Sequence, residues 1–113
     1  MNVSRWQEGV GQLKSEGDIS SLLRAEALLK AVGNAVRIRI VCALYEHGPR
    51  CVYELTDELG LRQPLVSQHL RSLRSVGVVI GEREGREVRY RLADDHVWHI
   101  VNDAIKHSDE KRR

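Results

Sequence analysis

The sequence predicts a mainly α fold that carries a single β-hairpin, and three observations predict it. Apolar residues recur at helical spacing through most of the 113 residues. Two short helical segments are separated only by Gly60 and the few residues after it. Beyond Gly77 the pattern becomes a two-residue alternation around Glu84-Gly85-Arg86. Helix, tight turn, helix and hairpin, in that order, make a winged helix-turn-helix.

Taken in order, residues 1–17 are polar, with Trp6, Val10 and Leu13 at helical spacing. They read as an arm or a short helix, broken at Gly17 from the domain over residues 18–113. Asp18 is placed to cap a helix over residues 19–32. Its apolar residues Leu22, Leu23, Ala25, Leu28 and Leu29 cover more surface than one core stripe needs. A second face of this helix is therefore expected to lie against a partner chain. Gly33-Asn34 ends it, and residues 35–45 form the next helix, with Val36, Ile38, Ile40, Val41 and Leu44.

After the stop at His47-Gly48-Pro49, Val52, Leu55 and Leu59 mark the first helix of the motif, with Gly60 as its left-handed stop. Pro64 falls in the first turn of the second helix, where a missing N–H costs little. Val66, Leu70 and Leu73 supply its inward stripe, and Gly77 closes it. Val78, Val79 and Ile80 begin a strand, and Val88, Tyr90 and Leu92 alternate with Glu87, Arg89 and Arg91 on the return. A last helix occupies residues 94–110.

Composition narrows the function. Hydrophobic residues make up 42% and charged residues 30%, as in a soluble globular chain, but the net charge is only +2. Affinity for nucleic acid must then come from local clusters. A chain of this size without phenylalanine has a thin core, which a dimer interface would supplement. No apolar run approaches the roughly 20 residues of a membrane span and the N-terminus is no signal peptide, so no membrane partner and a cytoplasmic location are expected. Cys42, inside the apolar run IRIVCAL, is expected in the core, and Cys51 opens a helix. Two cysteines make no disulfide framework.

The outward face of the second helix carries Pro64, Ser67, Gln68, Arg71 and Arg74, with Gln63 at its mouth. Glutamine can bond adenine edges and arginine guanine edges in the major groove of double-stranded DNA. Arg62, Arg71 and Arg74 can neutralise phosphates. The wing offers Arg83, Arg86 and Arg89 to the minor groove or backbone, with Glu82, Glu84 and Glu87 interleaved among them. His69 borders the core side and reads first as structural, then as a phosphate contact.

The last helix carries metal-ligand types. At 100° per residue, His107 lies about 20° from His96 and Glu110 about 40° on the other side, so all three share a face. Asp94 can join them from the helix start, where an aspartate is an expected cap. His96 and His107 are separated by roughly 16 Å of helix rise, whereas the donors of one zinc ion lie within roughly 4 Å of one another. One straight helix cannot close on an ion. Two antiparallel copies can, and a twofold homodimer would hold two such sites. Two imidazoles and two carboxylates suit zinc, with cobalt as a substitute. His99 and Asp103, near the same face, would raise the coordination number toward nickel or cobalt, or stay outside the ligand set.

The segments LLKAVGNAVRIRIVCAL, CVYELTDELGLRQPLVSQHLRSLRSVGVV and GEREGREVRYRLADDH resemble the ArsR/SmtB family of metal-sensing repressors over residues 19–110. The pattern Asp-x-His, ten residues, His-x-x-Glu resembles the zinc site on the family's last helix, here Asp94, His96, His107 and Glu110. The resemblance implies a homodimer, paired through its N- and C-terminal helices, whose apo form binds operator DNA and whose DNA affinity zinc lowers. It also implies that ligated His107 donates its other N–H to backbone near Gly77, at the end of the recognition helix. Two positions depart from the family pattern. Tyr53 stands where a second cysteine would complete a site at Cys51, and Arg62 stands where Ser or Thr often caps the recognition helix.

Other classes compete with this reading, a metal-blind DNA architecture protein among them. A zinc enzyme needs an open coordination position and a placed base, and neither is evident. A winged-helix repressor answering to thiol oxidation or another ligand would act through Cys42 and Cys51.

Overall fold

A computed structural model describes residues 16–110. Helix α1 covers Glu16–Val32 and α2 covers Ala35–His47. The two-residue strand β1 (Arg50–Cys51) leads into α3 (Val52–Leu59), and α4 covers Gln63–Ser75. Strands β2 (Val79–Glu84) and β3 (Glu87–Leu92) form the hairpin, and α5 (His96–Glu110) closes the described chain. The arm expected over residues 1–17 lies, up to residue 15, outside the described residues.

The expected break at Gly17 is absent, and Asp18 lies within the helix rather than at its cap. A single glycine costs a helix only about 1 kcal/mol relative to alanine, which the neighbouring helix formers offset. The next helix has a cap the pattern did not specify. Asn34 is extended, and its Oδ1 accepts from the N–H groups of Val36 at 2.9 Å and Arg37 at 3.2 Å.

Helix α2 is central. Its Ile40, Val41 and Leu44 meet Leu55 of α3, Val66, Leu70 and Leu73 of α4, Val79 of β2, and Val97 and Val101 of α5, all buried. The inward stripe of α4 is thus as the i, i+4, i+7 spacing requires. Gly60 ends α3 in the left-handed region (φ 65°, ψ 35°), which lets Leu61 turn back to donate to the Thr56 carbonyl at 3.2 Å.

The hairpin register runs from Val79 opposite Leu92 to Glu84 opposite Glu87, so Gly85-Arg86 is a two-residue turn. β1 adds to the other edge of β3, with Arg50 opposite Tyr90, and the sheet order is β1-β3-β2. This third strand was not legible in the pattern. It makes Cys51 the buried cysteine, 2% exposed, while Cys42 is only half-buried and faces a cavity. Cys42, expected in the core, packs against its margin instead of within it.

Candidate functional site

Helix α4 is held from below by its buried stripe and leaves Gln63, Gln68, Arg71 and Arg74 exposed, with Ser67 half-buried. Arg62 precedes it in extended conformation and provides no side-chain cap, but its carbonyl accepts from the N–H groups of Leu65 and Val66, both at 3.1 Å. Pro64 has no N–H, so in the first turn the Gln63 N–H is the one left to face an anion such as a phosphate. Arg62, Pro64, Leu65 and Gln68 line one surface concavity. Leu65, 37% exposed, was missed by the sequence reading because it lies off both the buried stripe and the polar set. Its apolar surface is what a thymine methyl takes in the major groove.

The wing meets the same end of α4. Gln63 and Arg86 line one cavity of about 270 Å³ together with Tyr53 and Tyr90. Arg83 and Arg86 are exposed, and among the described residues no ion pair takes them up. Arg89 differs. Its Nη2 donates to the Pro49 carbonyl at 2.9 Å, its Nη1 lies 3.4 Å from Glu54, and its Nε lies 3.5 Å from Glu84. It fastens the wing to the start of α3 and is not offered to DNA, which corrects the expectation for that residue. Arg91 is likewise tied to Glu82 at 2.7 Å.

Glu54 accepts from the Cys51 N–H at 3.0 Å, and that bond, with the Cys51 side chain and then the nearby arginines, holds its carboxyl below the usual range. Tyr53 is pushed up to about 12, first by its hydrogen bond to Cys51 and then by the charges of Cys51 and Glu87. The Cys42 thiol is raised by burial and by the charge of Glu46. The raised Cys42 holds less thiolate at neutral pH, and Cys51 is buried.

Helix α5 packs on α2 through Val97 and Val101, and Trp98 stacks on Tyr45 with ring centroids 4.1 Å apart. The helix begins at His96, and Asp94, just outside it, accepts from the His96 N–H at 2.9 Å. The His96 imidazole is 86% exposed, with Nδ1 3.4 Å from Asp94. His99, Asp103, His107 and Glu110 are exposed as well. Among the described residues no three His, Cys, Asp or Glu side chains gather closely enough to hold an ion. The donor types suit zinc, but the helix keeps them in two pairs at opposite ends. Among the described residues no hydrogen bond joins His107 to the Gly77 segment, whose N–H is donated to the Arg74 carbonyl. Two apolar faces are exposed within the chain: Ile100 and Ile105 on α5, and Ile19, Leu22, Leu23 and Leu29 on α1.

A helix-turn-helix with free arginines, flanked by a wing fastened to its base, defines a DNA-reading module of the winged-helix class. Residues 34–80 match the family model for bacterial regulatory proteins of the arsR family. The chain is 58% identical over 86 residues to the HTH-type transcriptional repressor SmtB of Mycobacterium tuberculosis, covering 76% of this chain and 63% of that one. It thus spans somewhat less than two thirds of that relative. It is 34% identical over 102 residues to the HTH-type transcriptional regulator NmtR of the same organism, covering 90% and 84%. The homodimeric winged helix-turn-helix DNA-binding domain of Mb0332 from Mycobacterium bovis superposes with a TM-score of 0.74 at 28% identity, covering 86% and 89%. The chain belongs to the ArsR family, as its sequence motifs implied, and its relatives are regulators rather than enzymes. No helix among the described residues is long and apolar enough to cross a membrane.

Proposed function

We propose that this chain is a cytoplasmic, metal-responsive transcriptional repressor that binds operator DNA as a homodimer and loses DNA affinity when zinc binds. One observation carries the reading: the donors on α5 stand in two exposed pairs, Asp94/His96 and His107/Glu110, separated by roughly 16 Å of helix. Neither pair alone satisfies a four-coordinate ion, and antiparallel pairing of two α5 helices brings unlike pairs together. The uncovered apolar faces of α1 and α5 support such pairing, because burying them removes large hydrophobic side chains from water. A bound zinc ion supplies a four-coordinate cross-link between the two chains; cobalt or nickel can take the same donors.

The DNA side is read from α4 and the wing. Gln63, Ser67 and Gln68 face base edges, Arg71 and Arg74 reach bases or phosphates, and Arg62, Arg83 and Arg86 hold the backbone and minor groove. His107 is the candidate for passing the ligand state toward the recognition helix. The remaining N–H of a ligated imidazole is a donor, so its partner there has to be a carbonyl oxygen.

The test is a DNA-binding titration on the region upstream of the chain's own gene, with zinc added and then removed by a chelator. Zinc should weaken binding by roughly 5- to 150-fold, the usual range of coupling, and the chelator should restore it. Zinc affinity should also fall on acidification, because protons compete with the ion for its ligand atoms. DNA affinity indifferent to zinc and chelator would refute metal control and leave a metal-blind DNA-binding protein.

A further inference from the structure

His69 is the one buried polar side chain among the described residues, 8% exposed, and it sits in the recognition helix beside Gln68. Its Nδ1 accepts from the Arg37 Nε–H at 2.9 Å. The same guanidinium donates through Nη1 to the Ala31 carbonyl at 2.9 Å. Ala31 lies in the last turn of α1, whose final carbonyls lack partners within their own helix. One side chain on α2 therefore ties the end of α1 to the middle of α4. A guanidinium can do this because its donors diverge in a fixed plane, whereas an ammonium is a single point.

We propose that Arg37, acting through His69, is a positioning residue that sets the angle between the pairing helix α1 and the DNA-reading helix α4. The proposal rests on the reading of α4 as the DNA-contacting helix and of α1 as part of the dimer interface. A dimer reads two half-sites about 34 Å apart, so a small change in that angle, repeated in both chains, alters the separation of the two α4 helices. The clamp requires a neutral imidazole with Nδ1 unprotonated.

Burial and the Arg37 charge both hold His69 below its ordinary value. From α2 the group facing the ring is Arg37, and α1 contributes the Ala31 carbonyl to the same guanidinium. No charge from α3 or β2 acts on the ring among the described residues. Protonation would set Nδ1–H against Nε–H, two donors and two cations. The contribution of the clamp is thus complete above about pH 6.5 and is lost as pH falls through the lowered folded value.

The test uses the full chain and a duplex that the wild type selects from a random-sequence pool. Arg37→Lys should bind this duplex roughly tenfold more weakly, about 1.4 kcal/mol. It should also tolerate an inserted base pair between half-sites that the wild type rejects. His69→Gln keeps an acceptor and cannot titrate. It should bind normally at neutral pH and lack the wild-type decline as pH falls below about 6.5. A folded, dimeric Arg37→Lys with unchanged affinity and spacing preference would overturn the proposal, as would a His69→Gln profile that falls like the wild type. If Arg37→Lys does not fold, the His69→Gln comparison decides. If the wild type selects no duplex, the DNA reading itself fails. The clamp is then judged by nitrogen NMR of the free protein: an Nε2–H tautomer lost in Arg37→Lys supports it, and an Nδ1–H tautomer sinks it.

Discussion

The reading side and the ligand side of this molecule differ in completeness. Helix α4 stands on three fully buried residues, Val66, Leu70 and Leu73, and its wing is pinned by Arg89 to Pro49 and Glu54. Every group it needs comes from one chain. Helix α5 is anchored at Val97, Val101 and Trp98, but its donors are split between its ends and its isoleucines are uncovered. A side that is finished within one subunit can be rigid; in the dimer proposed above, a second copy would finish the other side, which could then report whether that copy is correctly placed. The contrast follows from where each side's partners lie in the sequence.

The largest effect should come from breaking the finished side. Leu70→Ala removes a fully buried side chain and should cost about 2–5 kcal/mol of stability, measured by denaturant unfolding. A loss well under 1 kcal/mol would mean that α4 is not supported as described. Next comes a change confined to the unfinished side. His107→Ala should leave apo DNA affinity unchanged while abolishing a zinc response of about 1–3 kcal/mol, read as DNA affinity with and without zinc. A full zinc response in that variant would remove His107 from the ligand set. The smallest effect belongs to the joint beneath the wing. The Glu54 carboxyl is held below its ordinary 4.5, so its stabilising contribution is present above that pH and lost as pH falls through the folded value. Glu54→Gln should flatten this part of the acid unfolding profile, and an unchanged profile would show the lowered carboxyl to be without consequence.

Much of the fold was legible because helices α2 to α5 and the hairpin repeat their apolar residues at 3.6 or 2 residues. What escaped was long-range. β1 is two residues that become a strand only by pairing with Arg89 and Tyr90. Arg89 looks like a free wing arginine until its Glu54 and Pro49 partners are brought beside it. The exchange of roles between Cys42 and Cys51 has the same origin, since burial of Cys51 depends on that strand. The donor set on α5 could be picked out by angle alone. Whether its pairs meet is a property of two chains, which no periodicity in one of them encodes.

The stack of Trp98 on Tyr45 gives the protein a fluorophore at the seam between α5 and α2. The only other indole is Trp6, so a Trp6→Phe chain emits from that seam alone. A shift of α5 along α2 by even part of a helical turn would part the two rings and change the emission. Any displacement of α5 on α2 would therefore carry its own optical signal, with no label attached.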